Sequence, residues 1–336
     1  MLGWLVAGSM AFAIEPTAEE QQFVWALNRV RHDPAAWAAE RGLDARIGGD
    51  GQLTTLSDVA PRPPLAVQSL LVGSARGHAG EMAAQDYFGH QSPLDGRWPN
   101  DLVRDTGYPL PDSIPAGDGS VWMLDAGANN VESIAAGFAD PLSALDALLV
   151  DEGVSPPSHR FHLLGSDPFF ASHREIGVGV ARESSSTYQN YWALHTALSA
   201  VEDQFLTGVV YDDRDANGAY DLGEGLGGVE VWIGEQAVVT SEAGGWVAPV
   251  VDGDYTVVCV GGDFVGGGFG TVHVAGASRE VDFVSGFTGM VLDFGRVEAP
   301  VALGCDSAAS GAPAAWTLAL VPLLLVRIRR ARPLAA

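Results

Sequence analysis

Four short segments carry side chains able to hold a metal ion: Asp86-Tyr-Phe-Gly-His90, Asn130-Val-Glu132-Ser-Ile-Ala, Pro157-Ser-His159-Arg-Phe-His162 and His173-Arg-Glu175-Ile-Gly-Val-Gly. Neutral imidazoles bind zinc and other borderline divalent ions, and carboxylates either ligate or orient the imidazole N–H. Two His and two Glu that converged would make a divalent-metal pocket, but their spacing alone does not bring them together. A fifth segment is self-contained. Asp213, Asp215, Asn217, Asp221 and Glu224 fall at positions 1, 3, 5, 9 and 12 of a twelve-residue calcium loop, with Gly218 at the bend and the carbonyl of Ala219 between. Calcium takes six to eight oxygens, and this spacing supplies them in one turn.

The remaining candidates read differently. His78, four residues before Met82 on an inner helical face, reads as a satisfied core histidine. His162 and His195 fit a core or a site equally. No H-E-x-x-H helix and no Ser-centred elbow occurs. The two cysteines, Cys259 and Cys305, fall in different regions and give no disulfide framework.

The elements around these residues follow from pattern. Residues 1–14 form an apolar run closing in Ala11-Phe-Ala13, too short to span a bilayer, and are expected to be a signal peptide. Thr17-x-x-Glu20 is a capping box that opens a helix with Phe23, Leu27 and Val30 along one face. A second long helical run is expected from Leu65 to Phe88. Residues 105–129 read as a long surface loop. Asp140-Pro141 starts a helix to Val150. Two strands follow, from Arg174 to Glu183 and from Gln189 to Ser199. Beyond Glu202, short Val-rich runs alternate with Gly and Asp at 206–211, 229–233, 246–250, 255–260, 271–274 and 281–284, the signature of a small antiparallel sandwich. Residues 298–313 read as a linker. An apolar run at 314–326, extended back to Ala308, approaches the length of a transmembrane helix, and arginines in the 327–336 tail would stay in the cytoplasm. A net charge of −24 argues against nucleic-acid binding.

The first four segments, in this order, resemble the motifs "yFsH", "GENIA", "gHRxnil" and "eiGvGv" of the CAP superfamily, the cysteine-rich secretory, antigen 5 and pathogenesis-related proteins, in its disulfide-free bacterial branch. The likeness runs from about Gln21 to Leu198. It departs at Val131, at Ser133 in place of Asn, and at His162 in place of Asn. The resemblance implies an α+β fold, an α-β-α sandwich at 17–200, with His90 and His159 as metal ligands and Glu132 and Glu175 around them. Residues 207–260 are similar to the B-type repeats of bacterial surface adhesins, which places the calcium loop in a β-sandwich at 202–297. Gly304-Cys305, the apolar run and the arginines resemble C-terminal sorting signals of the myxobacterial type.

The expected protein is therefore exported, at the cell surface or outer envelope. Its cleft would hold zinc or another divalent cation and bind an extracellular lipid, sterol-like molecule or glycan. Its sandwich would hold calcium, and its C-terminal helix would reach the membrane. A metal-dependent hydrolase with Glu132 as base, and a surface adhesin with a vestigial cleft, are the alternatives.

Overall fold

The computed structural model describes residues 14–47, 55–198 and 204–298. The expected signal peptide, apart from Ile14, lies outside the described residues. So do the linker after Glu298, the 314–326 helix, the 327–336 tail and Cys305. Among the described residues no helix is long and apolar enough to cross a membrane.

The fold is α+β. Helix α1 (Ala18–His32) opens with the expected capping box: Thr17 Oγ1 accepts the Glu20 N–H at 3.3 Å, and Glu20 Oε2 accepts the Thr17 N–H at 2.8 Å. Asp33 then caps α2 (Pro34–Arg41). The long helical run is shorter than its pattern. Ala66–Val67 form strand β1, and α3 covers Ser69–Gln85. The next helix, α4 (Pro99–Asp105), is followed by a ribbon of β2 (Ser113–Pro115) and β3 (Val121–Met123). The expected loop thus has its own structure, and Tyr108, Leu110, Ile114 and Leu124 within it are buried. Strand β4 (Glu132–Ala136), α5 (Pro141–Val150), α6 (Ser158–Leu164), β5 (Glu175–Arg182) and β6 (Asn190–Ala197) complete the first part.

The central sheet runs β1-β5-β6-β4, with β1 parallel to β5 and the other pairs antiparallel. Strand alternation divides its side chains between two layers. Tyr191 and Ala193 face α3, while Ile176, Val178, Trp192 and Leu194 join a core with α1, α5 and α6. Gly177 and Gly179 let α3 lie directly on β5. A Cβ at these positions would stand 2.0 Å and 2.2 Å from the α3 backbone.

The second part is a sandwich of two sheets. One runs β10-β7-β13-β14-β15 and the other β12-β11-β8-β9. Its strands are β7 (Phe205–Tyr211), β8 (Glu230–Ile233), β9 (Gln236–Val239), β10 (Gly245–Pro249), β11 (Gly253–Val260), β12 (Gly268–Val274), β13 (Arg279–Val284), β14 (Met290–Leu292) and β15 (Gly295–Val297). Leu206, Val231, Trp246, Val257 and Phe283 fill the space between the sheets with Cys259, a buried free thiol pushed up to about 12 by desolvation.

Helix α1 is buried on two sides, not one. Phe23, Leu27 and Val30, expected along one face, join the core with Ile176, Val178, Trp192 and Leu194 of the central sheet. On its other side Trp25 Nε1 donates to Asp282 Oδ2 at 3.0 Å and Asn28 Nδ2 donates to Glu280 Oε2 at 3.0 Å. Burial pushes both carboxyls above the ordinary range, and for Glu280 the neighbouring Asp282 adds to it.

Candidate metal centre

Glu132 and His195 are directly paired across β4 and β6 and point to the α3 face. There Glu132 accepts from three imidazoles. Oε2 meets His195 Nε2 at 2.8 Å and His78 Nδ1, and Oε1 meets His90 Nδ1 at 2.7 Å. Burial would raise this carboxyl, but the hydrogen bonds from His195, His78 and His90 outweigh it and hold Glu132 well below the usual carboxylate range. The Nε2 of His78 lies 3.1 Å from the Tyr87 hydroxyl, which donates to Glu81 at 2.8 Å. Ligand atoms of His78, Glu132 and His195 all lie within 4.8 Å of one another. His90 differs from His78 and His195 in exposure, at 32% for its side chain.

His159 is held by a different carboxylate. Its Nδ1 lies 2.6 Å from Asp151 Oδ1, and its backbone N–H donates to Asp151 Oδ2 at 3.0 Å. Asp151 is buried and ends α5 at φ +55°, a position where glycine would be easiest. Its strained backbone places the carboxylate at the start of α6. Glu175 takes a third partner: the Tyr108 hydroxyl donates to its Oε2 at 2.5 Å. Of the four residues in the sequence motifs, His90 and Glu132 are thus in direct contact, while His159 and Glu175 are each held elsewhere.

His159 and Asp151 border a cleft, whose lining includes neither His90 nor Glu132. A cavity of about 420 Å³ is lined by Phe88, two residues before His90, by Ile134, two after Glu132, and by Val150, Asp151 and His159. Phe88 and Tyr188 stand at its edge as a ring pair 5.6 Å apart, each 44% exposed.

Behind the sheet lies a second histidine cluster. His162 places Nδ1 2.7 Å from Ser133 Oγ and Nε2 2.6 Å from Thr196 Oγ1, which also lies 2.6 Å from His173 Nδ1. Burial lowers His162 well below the ordinary imidazole value, helped by His173, and lowers His173 to about 3, helped by Arg31.

In the sandwich, Asp213, Asp215 and Glu224 bring ligand oxygens within 4.8 Å of one another. Ala216 (φ +58°) and Gly218 (φ +77°) bend the loop, and its N–H groups turn inward: Gly218 N–H donates to Asp213 Oδ2 at 3.1 Å and Asp221 N–H to Glu224 Oε2 at 3.0 Å. Asn217 Nδ2 bridges Asp215 and Asp221 at 3.0 and 2.7 Å, while Ala219 N–H donates to Asn217 Oδ1 at 2.7 Å. The loop is tied to α1 by Gln22 Nε2, which donates to Asp221 Oδ1 at 2.9 Å.

Sequence reasoning missed Asp151 and left His195 undecided. The signal for Asp151 was a non-glycine at a helix C-terminus, just before Ser155-Pro-Pro and the motif histidine. His195 had none, because the register of β4 on β6 is not written in either strand.

No protein-family model matches this chain, and no curated protein does. Among solved structures, an extracellular protein containing an SCP domain from Bacillus anthracis str. Ames is 23% identical, with 41% of this chain and 35% of that chain covered and a TM-score of 0.28. An outer surface protein from Borrelia burgdorferi is 15% identical, covering 40% of this chain and 77% of that one, again with a TM-score of 0.28. The chain spans about a third of the Bacillus anthracis chain.

Proposed function

We propose that this is an exported binding protein of the CAP type, with a divalent ion, zinc first, held by His90 and His159 beside a ligand cleft. One observation carries the reading. Both imidazoles are partly exposed and both have Nδ1 on a buried carboxylate, Glu132 for one and Asp151 for the other. That arrangement leaves Nε2 of each ring as the ligand nitrogen and raises its basicity, as second-shell carboxylates do in zinc sites. Glu132 and Asp151 orient; Glu175, turned to Tyr108, supports the fold beside the site. Zinc bound through two neutral imidazoles keeps open positions for water or a ligand group. The aromatic pair and the apolar wall of the cleft suit an amphiphilic ligand, a lipid, sterol-like molecule or glycan.

A hydrolase is the weaker reading, because a general base must be free to take a proton from the attacking water. Glu132 is buried and shared by three imidazoles. The loop at 213–224 is proposed to hold calcium as a static clamp: the donors are oxygens at calcium spacing and the flanking segments are not helices. The decisive test is metal content. The purified full-length chain should hold one zinc that a chelator removes, and His90→Ala with His159→Ala should hold none. Stoichiometric zinc in the double variant would refute the assignment.

A further inference from the structure

The cluster behind the sheet has a direction, which can be found by counting protons. His162 and His173 are buried and neutral, so each ring carries one proton. Among the described residues His173 Nε2 has no hydrogen-bond partner. A buried N–H without an acceptor is rarer and more costly than a bare lone pair, so the His173 proton sits on Nδ1 and is donated to Thr196 Oγ1. The Thr196 hydroxyl is then free to donate only to His162 Nε2. That leaves the His162 proton on Nδ1, donated to Ser133 Oγ. The chain runs one way, from His173 through Thr196 and His162 to Ser133.

Its anchor points are informative. Ser133 follows Glu132 and Thr196 follows His195, the two residues paired across β4 and β6. Alternation sends Glu132 and His195 to one face and Ser133 and Thr196 to the other. His162 therefore grips from behind the strand positions that aim Glu132 at His90. His159 lies three residues earlier on α6, so it shares the face of the helix that His162 fixes.

We infer that His162 is a positioning residue of the proposed metal site: an Nδ1–H imidazole that pins α6, and His159 with it, to the Glu132–His195 strand pair through Ser133 and Thr196. The inference rests on the metal reading of His90 and His159. A second observation supports it. Ser133 and His162 are the positions at which this chain departs from Asn in two of the family motifs, and in the fold they touch at 2.7 Å. A short side chain on β4 is met by a long one on α6.

The test joins zinc titration of the full-length chain to 15N NMR of its imidazoles without metal. Wild-type His162 should be protonated at Nδ1. His162→Asn and Ser133→Asn should each weaken zinc binding about tenfold or more, and the double variant should recover most of that loss. A His162 protonated at Nε2, or wild-type zinc affinity in His162→Asn, overturns the inference. If His162→Asn does not fold, the double variant and the wild-type tautomer decide. A wild-type chain that takes no zinc removes the metal reading instead. The inference then stands or falls on the His159 Nδ1 signal, which must shift in His162→Asn; an unchanged signal refutes it.

Discussion

Burying a neutral histidine makes a protein sensitive to acid, and His173 allows the size of that effect to be worked out. Its folded value is lowered to about 3, chiefly by burial. In the unfolded chain it titrates near the ordinary value of about 6.5. A histidine depressed in this way contributes stability that is present above the unfolded value and is lost as pH falls below it, because the unfolded chain binds the proton first. Linkage gives a loss of roughly 2 kcal/mol at pH 5, against about 0.2 kcal/mol at pH 7, from this one ring. His173→Asn keeps a donor toward Thr196 but cannot titrate. Urea unfolding of the full-length chain and of this variant, at pH 7 and pH 5, isolates the ring from every other titrating group. The stability of the wild type relative to the variant should fall by about 2 kcal/mol between the two pH values. The comparison is needed because the carboxyl of Asp282, raised by burial, works in the opposite direction over the same range. Parallel pH profiles for the two proteins would show that His173 is not a buried neutral ring, and the proton count built on it would fail.

Other expectations are simpler. Asp151→Asn removes the carboxylate that holds His159 and should weaken zinc about 10–100-fold while leaving the helical circular dichroism unchanged; unaltered affinity would show that His159 needs no such partner. Calcium at about 10⁻⁴–10⁻³ M should raise the melting temperature of the full-length chain, and Asp213→Ala or Glu224→Ala should remove that gain. A melting temperature indifferent to calcium, with none bound, would rule the loop out. Asp282 is a carboxyl raised on folding, so it costs stability as pH rises above the unfolded value near 3.9. Asp282→Asn should therefore gain on the wild type between pH 5 and pH 8 in urea unfolding, and a variant that loses ground instead would contradict the buried assignment.

The sequence was most readable where the signal was local. The Thr17–Glu20 box, the Asp140-Pro141 start and the runs that became β7, β8 and β10–β13 depend on neighbouring residues and were found within two to three residues. The helix start near Leu65 was misplaced because Ala66 and Val67 fit a helix equally well, and only pairing with Glu175 and Ile176 makes them a strand. Short strands β9, β14 and β15 carry too few residues to show alternation. At the site, His90 and Glu132 touch, but the company they keep is decided by register and by backbone strain. His195 joins Glu132 through strand pairing, and Asp151 reaches His159 by adopting a left-handed conformation. Neither is visible to a periodicity. The second buried side of α1 was hidden for another reason: Gln22, Trp25 and Asn28 look like an ordinary surface face until their partners Asp221, Asp282 and Glu280 arrive from 199, 257 and 252 residues later.

That last contact bears on how the molecule would respond to a protease. A single cut between residues 198 and 204 breaks the chain between the central sheet and the sandwich but leaves α1 wedged against both. The donors of Trp25 and Asn28 would still meet buried carboxyls, and Val209, Tyr211 and Tyr220 would still share a core with α1. The two pieces are expected to elute together from a sizing column and to separate only in denaturant. Each produced alone would expose apolar surface, and the sandwich alone would also uncover Glu280 and Asp282, so the nicked protein should be soluble where its separate halves aggregate.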